Sequence, residues 1–256
     1  MSRSAHGRRA AVAAAASEPR PASRVPPTAM KPFRIAILAA LAGPGALAAQ
    51  VRTADEGSFT VTRRGETIGR EEFRIVRRPA GGSEEFVAQA VGAYGDRRIL
   101  PALQTDASGM PSRYQIEVRS AGASEQKLTG QVLRGRFTAQ LQTPRGESAR
   151  EYLVRDGVRI VDDDVYHQYY FLCLGATGAD VPMLEPRRGA QGAWRVSRGA
   201  STEPIEIGGR TLQAQRLTLR DAEGGTRELW TDASCRLLKV SIPALGIVAL
   251  RDDPPA

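Results

Sequence analysis

The sequence predicts a mainly β protein, a long antiparallel meander curled into an unclosed half-barrel with one short inner helix around residues 163–174. Three observations support this fold class. Apolar and polar residues alternate in short segments from Ser58 onward, turn residues separate those segments, and one tyrosine-rich segment departs from the pattern. A sheet of about twelve strands has to curl, and its concave face then needs a cover. We expect the inner helix to provide that cover.

The alternation indicates half-buried strands, and it is clearest over residues 114–119, where Tyr, Ile and Val alternate with Gln, Glu and Arg. The Asp156-Gly157 pair predicts a tight hairpin between residues 152–154 and 158–161. Residues 176–192 are rich in Gly, Pro and charge, and we interpret them as a loop. Strands are expected to resume at Trp194.

The helix is predicted by the segment that runs from Asp162 to Gly175. It holds three of the six tyrosines, and at 100° per residue its apolar side chains cover almost the whole circumference, interrupted by Gln168. The aspartates at 162–164 are expected to cap the first turn, and Gly175 is expected to adopt the left-handed conformation after the last turn. This pattern favours one short helix, mostly buried and surrounded by the sheet.

The N-terminus carries the features of a secretory signal peptide over residues 30–48. A basic start at 31–34 precedes a short apolar run, and small residues come before the expected cleavage site. The apolar run is well short of the roughly 20 residues of a membrane span, and no later segment is predicted to span a bilayer. We therefore expect an exported protein, periplasmic or secreted.

Residues 1–29 are predicted to be a disordered upstream extension before a true start at Met30. A start at Met1, with Arg8-Arg9 as a twin-arginine signal, remains the alternative. Residues 50–256 are expected to form a single β half-barrel domain, because a chain of this length can bury one substantial core.

Most of the basic charge belongs to the leader. The whole chain has 36 Lys and Arg residues against 28 Asp and Glu residues. Residues 1–49 contain seven of the basic residues and one of the acidic residues. The remaining chain therefore has 29 basic and 27 acidic residues, a net charge of +2. Arginine is interleaved with Asp and Glu along the remainder, whereas nucleic-acid binding calls for a concentrated basic face. We predict a solvated surface of mixed charge and no nucleic-acid partner.

The two cysteines, Cys173 and Cys235, leave two interpretations open. In an oxidising exported compartment they could form a disulfide. They could equally be separate, small buried residues.

The chain resembles a group of uncharacterised exported domains. The resemblance rests on three stretches, Gly57-Ser58-Phe59-Thr60-Val61, Leu103-Gln104-Thr105-Asp106, and Leu229-Trp230-Thr231-Asp232 followed by Leu237-Leu238-Lys239. The last of these is also similar to the ending of the lipoprotein-carrier half-barrels of the LolA and LolB types. The resemblance implies an unclosed antiparallel barrel with an inner helix. Carriers of this kind hold lipid chains in the concavity, but no residue here can be matched to a carrier's functional position.

Few residues offer catalytic chemistry. His167 is the only histidine after the leader, and it could join the aspartates at 162–164 or Cys173 around a metal or in a hydrolase; we favour a packed histidine instead. Glu71-Glu72 and Glu84-Glu85 are adjacent carboxylates, which on a strand point to opposite faces, so solvated strand edges are the favoured interpretation. We interpret Arg187-Arg188 as a solvent-facing pair, with an anion clamp as the alternative.

The sequence thus favours a non-enzymatic exported half-barrel that binds an apolar or amphiphilic ligand, or a lipidated partner, in its concavity. The alternative is a structural or protein-interaction module of the cell envelope with a filled core. No cofactor or metal is expected, and the possible partners are a lipid, a lipoprotein or an envelope protein. The candidate ligand-binding residues are Tyr166, Tyr169, Tyr170, Phe171, Trp194 and Trp230. Ligand identity and oligomeric state do not follow from the sequence.

Overall fold

The computed structural model describes residues 51–175 and 178–256. Within these ranges the protein is mainly β, with one 15-stranded sheet and a single short helix. The predicted fold class is confirmed. The predicted signal peptide at 30–48 and the extension at 1–29 lie outside the described residues, and both stay predictions.

The strands follow the alternating segments of the sequence. In chain order they are β1 (Arg52–Arg63), β2 (Glu66–Ala80), β3 (Ser83–Tyr94), β4 (Arg97–Asp106), β5 (Pro111–Ser120), β6 (Ala123–Leu133), β7 (Arg136–Thr143), β8 (Gly146–Leu153), β9 (Arg159–Ile160), β10 (Asp180–Glu185), β11 (Ala190–Ile207), β12 (Arg210–Arg220), β13 (Thr226–Thr231), β14 (Leu237–Ile242) and β15 (Ile247–Arg251). Helix α1 (Tyr170–Cys173) lies between β9 and β10, directly after a 3₁₀ turn at His167–Tyr169, and a second 3₁₀ turn at Pro243–Leu245 joins β14 to β15.

The first and last strands pair at the middle of the sheet. β1 lies antiparallel to β15, with Arg63 opposite Ile247; β2 to β8 extend the sheet on one side, and β14 to β9 extend it on the other. The neighbouring strands are antiparallel except β9 and β10, which are parallel, with Ile160 opposite Leu184. β8 and β9 are the outermost strands and do not pair with each other, so the curled sheet is not closed.

Two local predictions were wrong. The Asp156-Gly157 turn does not make a hairpin, because β8 pairs with β7, β9 pairs with β10, and the chain crosses here from one edge of the sheet to the other. The predicted loop at 176–192 contains all of β10 and the start of β11. Its Gly and Pro content masked a strand near the sheet edge, where proline is tolerated.

Large inward side chains and the segment 162–174, which we name the inner plug, form the core. Phe59, Phe86 and Phe137 from the sheet have no exposed surface, and all residues from His167 to Cys173 are buried. The ring of Phe86 contacts those of Tyr170 and Phe171 in edge-on geometry, each with centroids 5.8 Å apart. The inner plug therefore fills the concavity of the sheet, as the sequence predicted.

The helical part of the plug is shorter than predicted, and its predicted caps were wrong. Only 167–173 are helical, and no side chain caps either helical turn from its own N-cap position. Gly175 does not take a left-handed conformation. Asp162 and Asp164 bond to other elements instead: Asp162 accepts from the Tyr114 hydroxyl at 2.8 Å, and Asp164 pairs with Arg97 at 3.0 Å.

A glutamate from a distant strand caps the plug. Glu71 on β2 is 1% exposed, and its carboxylate accepts the backbone N–H groups of Tyr166 at 2.8 Å and His167 at 2.7 Å. The same carboxylate accepts a hydrogen bond from Nδ1 of His167 at 3.1 Å. A carboxylate at this position satisfies free N–H donors at the start of the helical turns and suits the positive end of the helix dipole.

The opposite end of the plug is held by an arginine and a disulfide. Arg159 on β9 is buried and donates from Nε to the carbonyl of Phe171 at 3.0 Å and from Nη2 to the carbonyl of Ser108 at 2.7 Å. Burial lowers the pKa of Arg159. An arginine guanidinium keeps its charge in proteins. Cys173 forms a disulfide with Cys235 in the β13–β14 turn, with the two Cα atoms 5.6 Å apart. The choice left open by the sequence is therefore resolved in favour of the disulfide.

We predict that Glu71→Ala lowers the free energy of unfolding by about 3 kcal/mol, because it leaves two buried N–H groups and a buried imidazole without their acceptor. Urea denaturation followed by circular dichroism measures this. Glu72→Ala is the matched control: its side chain is exposed on the other face of β2, and we expect a change below about 0.5 kcal/mol. Equal losses in the two variants would contradict the assigned role.

We also predict that removing the disulfide, in a Cys173→Ala/Cys235→Ala variant, costs about 4 kcal/mol, because the bond closes a loop with a sequence separation of 62. Urea denaturation with and without a reductant checks this, since only the wild type should respond to the reductant. Two free thiols titrated in the unreduced, denatured wild type would show that the bond is not formed.

Candidate functional site

Two neighbouring cavities lie near the start of the plug, and we together name them the mouth cleft. The larger cavity is about 470 Å³ and the smaller about 290 Å³. Both are lined by Arg188 and Arg227, so the two spaces meet at these side chains. Their sizes lie in and just below the range typical of small-ligand sites.

The larger cavity is mixed in character. Trp194 of β11 and Met183 of β10 give it an apolar wall, while Glu185, Asp221 and Glu223 bring carboxylates. Two arginines face three acidic residues here, so the lining has no strong net charge. Such a lining suits a ligand that has both polar and apolar parts.

The smaller cavity combines the start of the plug with an aliphatic flank. Tyr166 and Tyr169 of the plug line one part, and Ile242, Leu245 and Ile247, from around the β14–β15 connection, line another. Leu245 is 52% exposed, which places an apolar side chain at the entrance. Arg63 and the aspartates at 162–164 also line this cavity, so its aliphatic flank faces charged side chains.

Arg227 joins the sheet to the plug between the two cavities. Its guanidinium carbon lies 4.3 Å from the ring centroid of Trp194, and its Nη1 donates to the hydroxyl of Tyr169. The rings of Trp194 and Tyr169 are nearly parallel, with centroids 6.2 Å apart. Burial raises the pKa of Tyr169 to about 12, so its hydroxyl stays protonated at neutral pH. The aromatic wall of the cleft is therefore a fixed arrangement of rings around one cation.

Arg188 is the exposed counterpart of Arg227. Its side chain is 58% exposed and pairs with Glu185 at 3.3 Å and with Asp163 at 3.7 Å. Exposed ion pairs of this kind contribute little to stability, and long arginine side chains reorient easily. Arg188 is thus the element between the two cavities that can move at low cost.

Asp162 anchors the start of the plug beneath the cleft. Its carboxylate accepts from the Tyr114 hydroxyl and from the backbone N–H of Arg187 at 3.1 Å, and Nε of Arg187 lies 3.8 Å away. Burial raises the pKa of Asp162 to about 6, although Arg187 and Tyr114 act in the opposite direction. The plug is thereby joined to β5 and to the β10–β11 turn.

The structure brings five of the six candidate ligand residues into the core around the plug. Tyr166 and Tyr169 line the smaller cavity and Trp194 the larger one, whereas Tyr170 and Phe171 pack against Phe86 and line neither. Trp230 is not with them. It lies on the opposite face of the sheet, in a separate cluster that includes Ile207 and Leu238, because its neighbour Leu229 takes the inward position.

The charged pairs singled out in the sequence divide between the two faces. Glu71 is buried and Glu72 exposed, so the expectation of two solvated glutamates was wrong for Glu71. The side chain of Arg187 is 8% exposed and that of Arg188 is 58% exposed, so the solvent-facing interpretation holds only for Arg188. His167 has no exposed surface, and its Nε2 has no partner among the described residues.

The described residues show no metal-binding arrangement. No group of three or more His, Cys, Asp or Glu side chains in 51–175 and 178–256 is placed to hold a metal ion. In the same ranges, no helix is both long and apolar enough to cross a membrane.

Comparison with solved structures gives a structural similarity. No protein-family model matches the chain, and no curated protein matches it in sequence. A crystal structure of a β-barrel-like protein of Domain of Unknown Function DUF1849 from Brucella abortus aligns with 80% of this chain and 98% of its own. The two are 10% identical, with a TM-score of 0.48. No function follows from this match.

Sequence reasoning missed the roles of Glu71 and Arg227, and it assigned Asp162 to a helix cap instead of the contacts with Tyr114 and Arg187. For Glu71 a signal existed. Side chains alternate between the two faces of a strand, so Glu71 lies on the same face of β2 as Phe73 and Ile75, which point inward. For Arg227 the partners Trp194 and Tyr169 come from distant segments, and no local pattern links the three.

We predict that Asp162 makes the protein less stable as pH rises from about 4 to about 6. Its pKa in the folded state lies above the ordinary value of 3.8, so the native state binds the extra proton in this window, and ionisation above it costs roughly 3 kcal/mol. Burial also raises the pKa of Asp55, so Asp55 acts in the same direction.

Urea denaturation at pH 4.5 and 7.5 tests this. Asp162→Asn should show a smaller loss of stability between the two values than the wild type. Asp163→Asn removes a charge from the same stretch at a side chain that is 42% exposed, and it controls for net charge. An unchanged pH dependence in Asp162→Asn would refute the assignment.

Proposed function

We propose that this protein is an exported, non-enzymatic half-barrel that binds an amphiphilic ligand, or the lipid part of a lipidated partner, in the mouth cleft. The observation that carries the proposal is the pair of adjoining cavities at the edge of a filled core, each of which combines charged side chains with an apolar wall. Concave sites that combine aromatic walls with a few polar groups are where small ligands bind.

The ligand is amphiphilic in this proposal because of the lining. A purely apolar chain would take the charged groups of Glu185, Arg188 and Arg227 out of water, and the ion pairs among them offset only part of that cost. A molecule whose polar groups meet these charges, and whose apolar part lies against Leu245 and Ile247, reduces that cost. The interior itself is occupied by the plug, so the ligand site is the cleft and not the barrel centre.

Export is part of the proposal and is supported by the Cys173–Cys235 disulfide. Such bonds persist in oxidising compartments and are rare in reducing ones. The signal-peptide features at 30–48 point the same way. The sequence resemblance to lipoprotein carriers is in keeping with a lipid-like ligand.

The second candidate function is a structural or protein-interaction module of the cell envelope. It is supported by the filled interior, where His167 to Cys173 are all buried and the plug is fixed at both ends. In that case the mouth cleft would contain only solvent and would bind no ligand.

Native mass spectrometry of the protein purified from its own envelope distinguishes the two. We expect a bound lipid-like mass in the wild type and less than about a tenth of it in Arg188→Glu/Leu245→Asp, which places negative charge in both cavities. Leu153→Asp is the matched control, because Leu153 is 69% exposed and lies outside the cleft. No adduct in the wild type, or equal adduct in the double variant, would favour the interaction module.

A further inference from the structure

The two edges of the unclosed sheet are protected to different degrees. β9 is two residues long and buried, which leaves little edge exposed. β8 has eight residues, pairs with β7 without a register shift, and exposes most of its side chains. It contains no proline and no lysine, two common means of protecting an edge strand. The β10–β11 segment contacts β8 only through Arg150 and Leu153, so β8 is the more open edge of this sheet.

Two hydrogen bonds establish which backbone groups of β8 face outward. The N–H of Val154 donates to the carbonyl of Gly135 at 2.9 Å, toward β7, and the carbonyl of Leu153 accepts from Nε2 of Gln191 at 2.8 Å, away from β7. Because the direction alternates along a strand, Glu147, Ala149 and Glu151 point their N–H and C=O groups away from β7. Those groups have no partner in the part of the chain that the structure describes.

The side chains of the same three residues lie on the outer face. Their neighbours Ser148, Arg150 and Tyr152 stand opposite the inward residues Leu141, Ala139 and Phe137, which are buried. The outer face of the edge therefore presents two carboxylates, from Glu147 and Glu151, on either side of Ala149. The Glu151 carboxylate pairs with Arg136 of β7, but both side chains are more than half exposed.

The register argues against a second copy of this chain on the edge. In antiparallel pairing, outward-facing residues must stand opposite one another. If two β8 strands pair symmetrically about Ala149, Glu147 of each copy stands opposite Glu151 of the other. If they pair about Arg150, the two Arg150 residues stand opposite each other. Like charges directly opposite are destabilising. Pairing about Ser148 or about Tyr152 avoids this, but it uses only residues 146–150 or 151–153 of β8.

We propose that β8 is a docking edge for an extended segment of another protein that carries Lys or Arg at two positions four residues apart. Such a segment adds an antiparallel strand beside β8, its main chain bonding to Glu147, Ala149 and Glu151. The two basic side chains then stand opposite Glu147 and Glu151, and a residue between them stands opposite Ala149. This function is independent of the mouth cleft.

Fluorescence anisotropy with a labelled, end-capped peptide of sequence TKVTVKT tests the proposal, with TEVTVET as the charge-reversed peptide. We expect the basic peptide to bind the full-length protein, and Ala149→Pro to weaken binding at least tenfold. The proline removes an N–H that faces away from β7, so the β7–β8 ladder is retained. Ala149→Val keeps the N–H and serves as the matched control. Unchanged thermal unfolding of Ala149→Pro verifies its fold.

Charge recognition is tested separately with Glu147→Lys/Glu151→Lys, which should bind the acidic peptide about fivefold better than the basic one. Equal binding of the basic peptide to the wild type and Ala149→Pro overturns the proposal, as does an absence of binding to the wild type. A wild-type dimer in sedimentation velocity that becomes monomeric in Ala149→Pro also overturns it, because the edge would then belong to a second copy.

Discussion

The architecture depends on one carboxylate. A chain of strands that curls this far leaves a concavity, and the inner plug can fill it only if the free N–H groups at its start are satisfied without water. Glu71 provides this from β2, 95 and 96 residues away in sequence from the groups it accepts. The helical stretch itself is only seven residues, too short to be stable alone. Its conformation is imposed by the surrounding sheet.

The filled interior decides where a ligand can be accommodated. Because the plug is fixed at its start by Glu71 and Asp162 and at its end by Arg159 and the disulfide, the space left over lies at its rim and not within the barrel. At that rim the aromatic side chains meet charged ones, and Arg227 stacks on Trp194 while bonding to the plug. The chemistry of the mouth cleft is therefore amphiphilic because it lies where the core meets the surface.

The remaining buried charges serve the same structural purpose. Asp55 and Arg251 form an ion pair at 2.9 Å with almost no exposure, and they join the first strand to the last at the middle of the sheet. Such a pair contributes specificity of pairing more than net stability, since desolvation offsets most of its attraction. The protein thus places charge inside at the points where distant segments must meet.

The sequence by itself determined the fold class, the alternation of most strands, and the position and burial of the plug, because these follow from hydrophobic periodicity, which is local. The alternation on β2 also puts Glu71 on the face of Phe73 and Ile75, but the sequence analysis interpreted Glu71 as solvated. Only the tertiary structure decided the cap, the disulfide, the absence of a β8–β9 hairpin and the separation of Trp230 from the other aromatic residues. Each of these depends on which segments, far apart in the chain, come into contact. The local sequence pattern shows that a segment is a strand, but it does not show which distant strand it contacts.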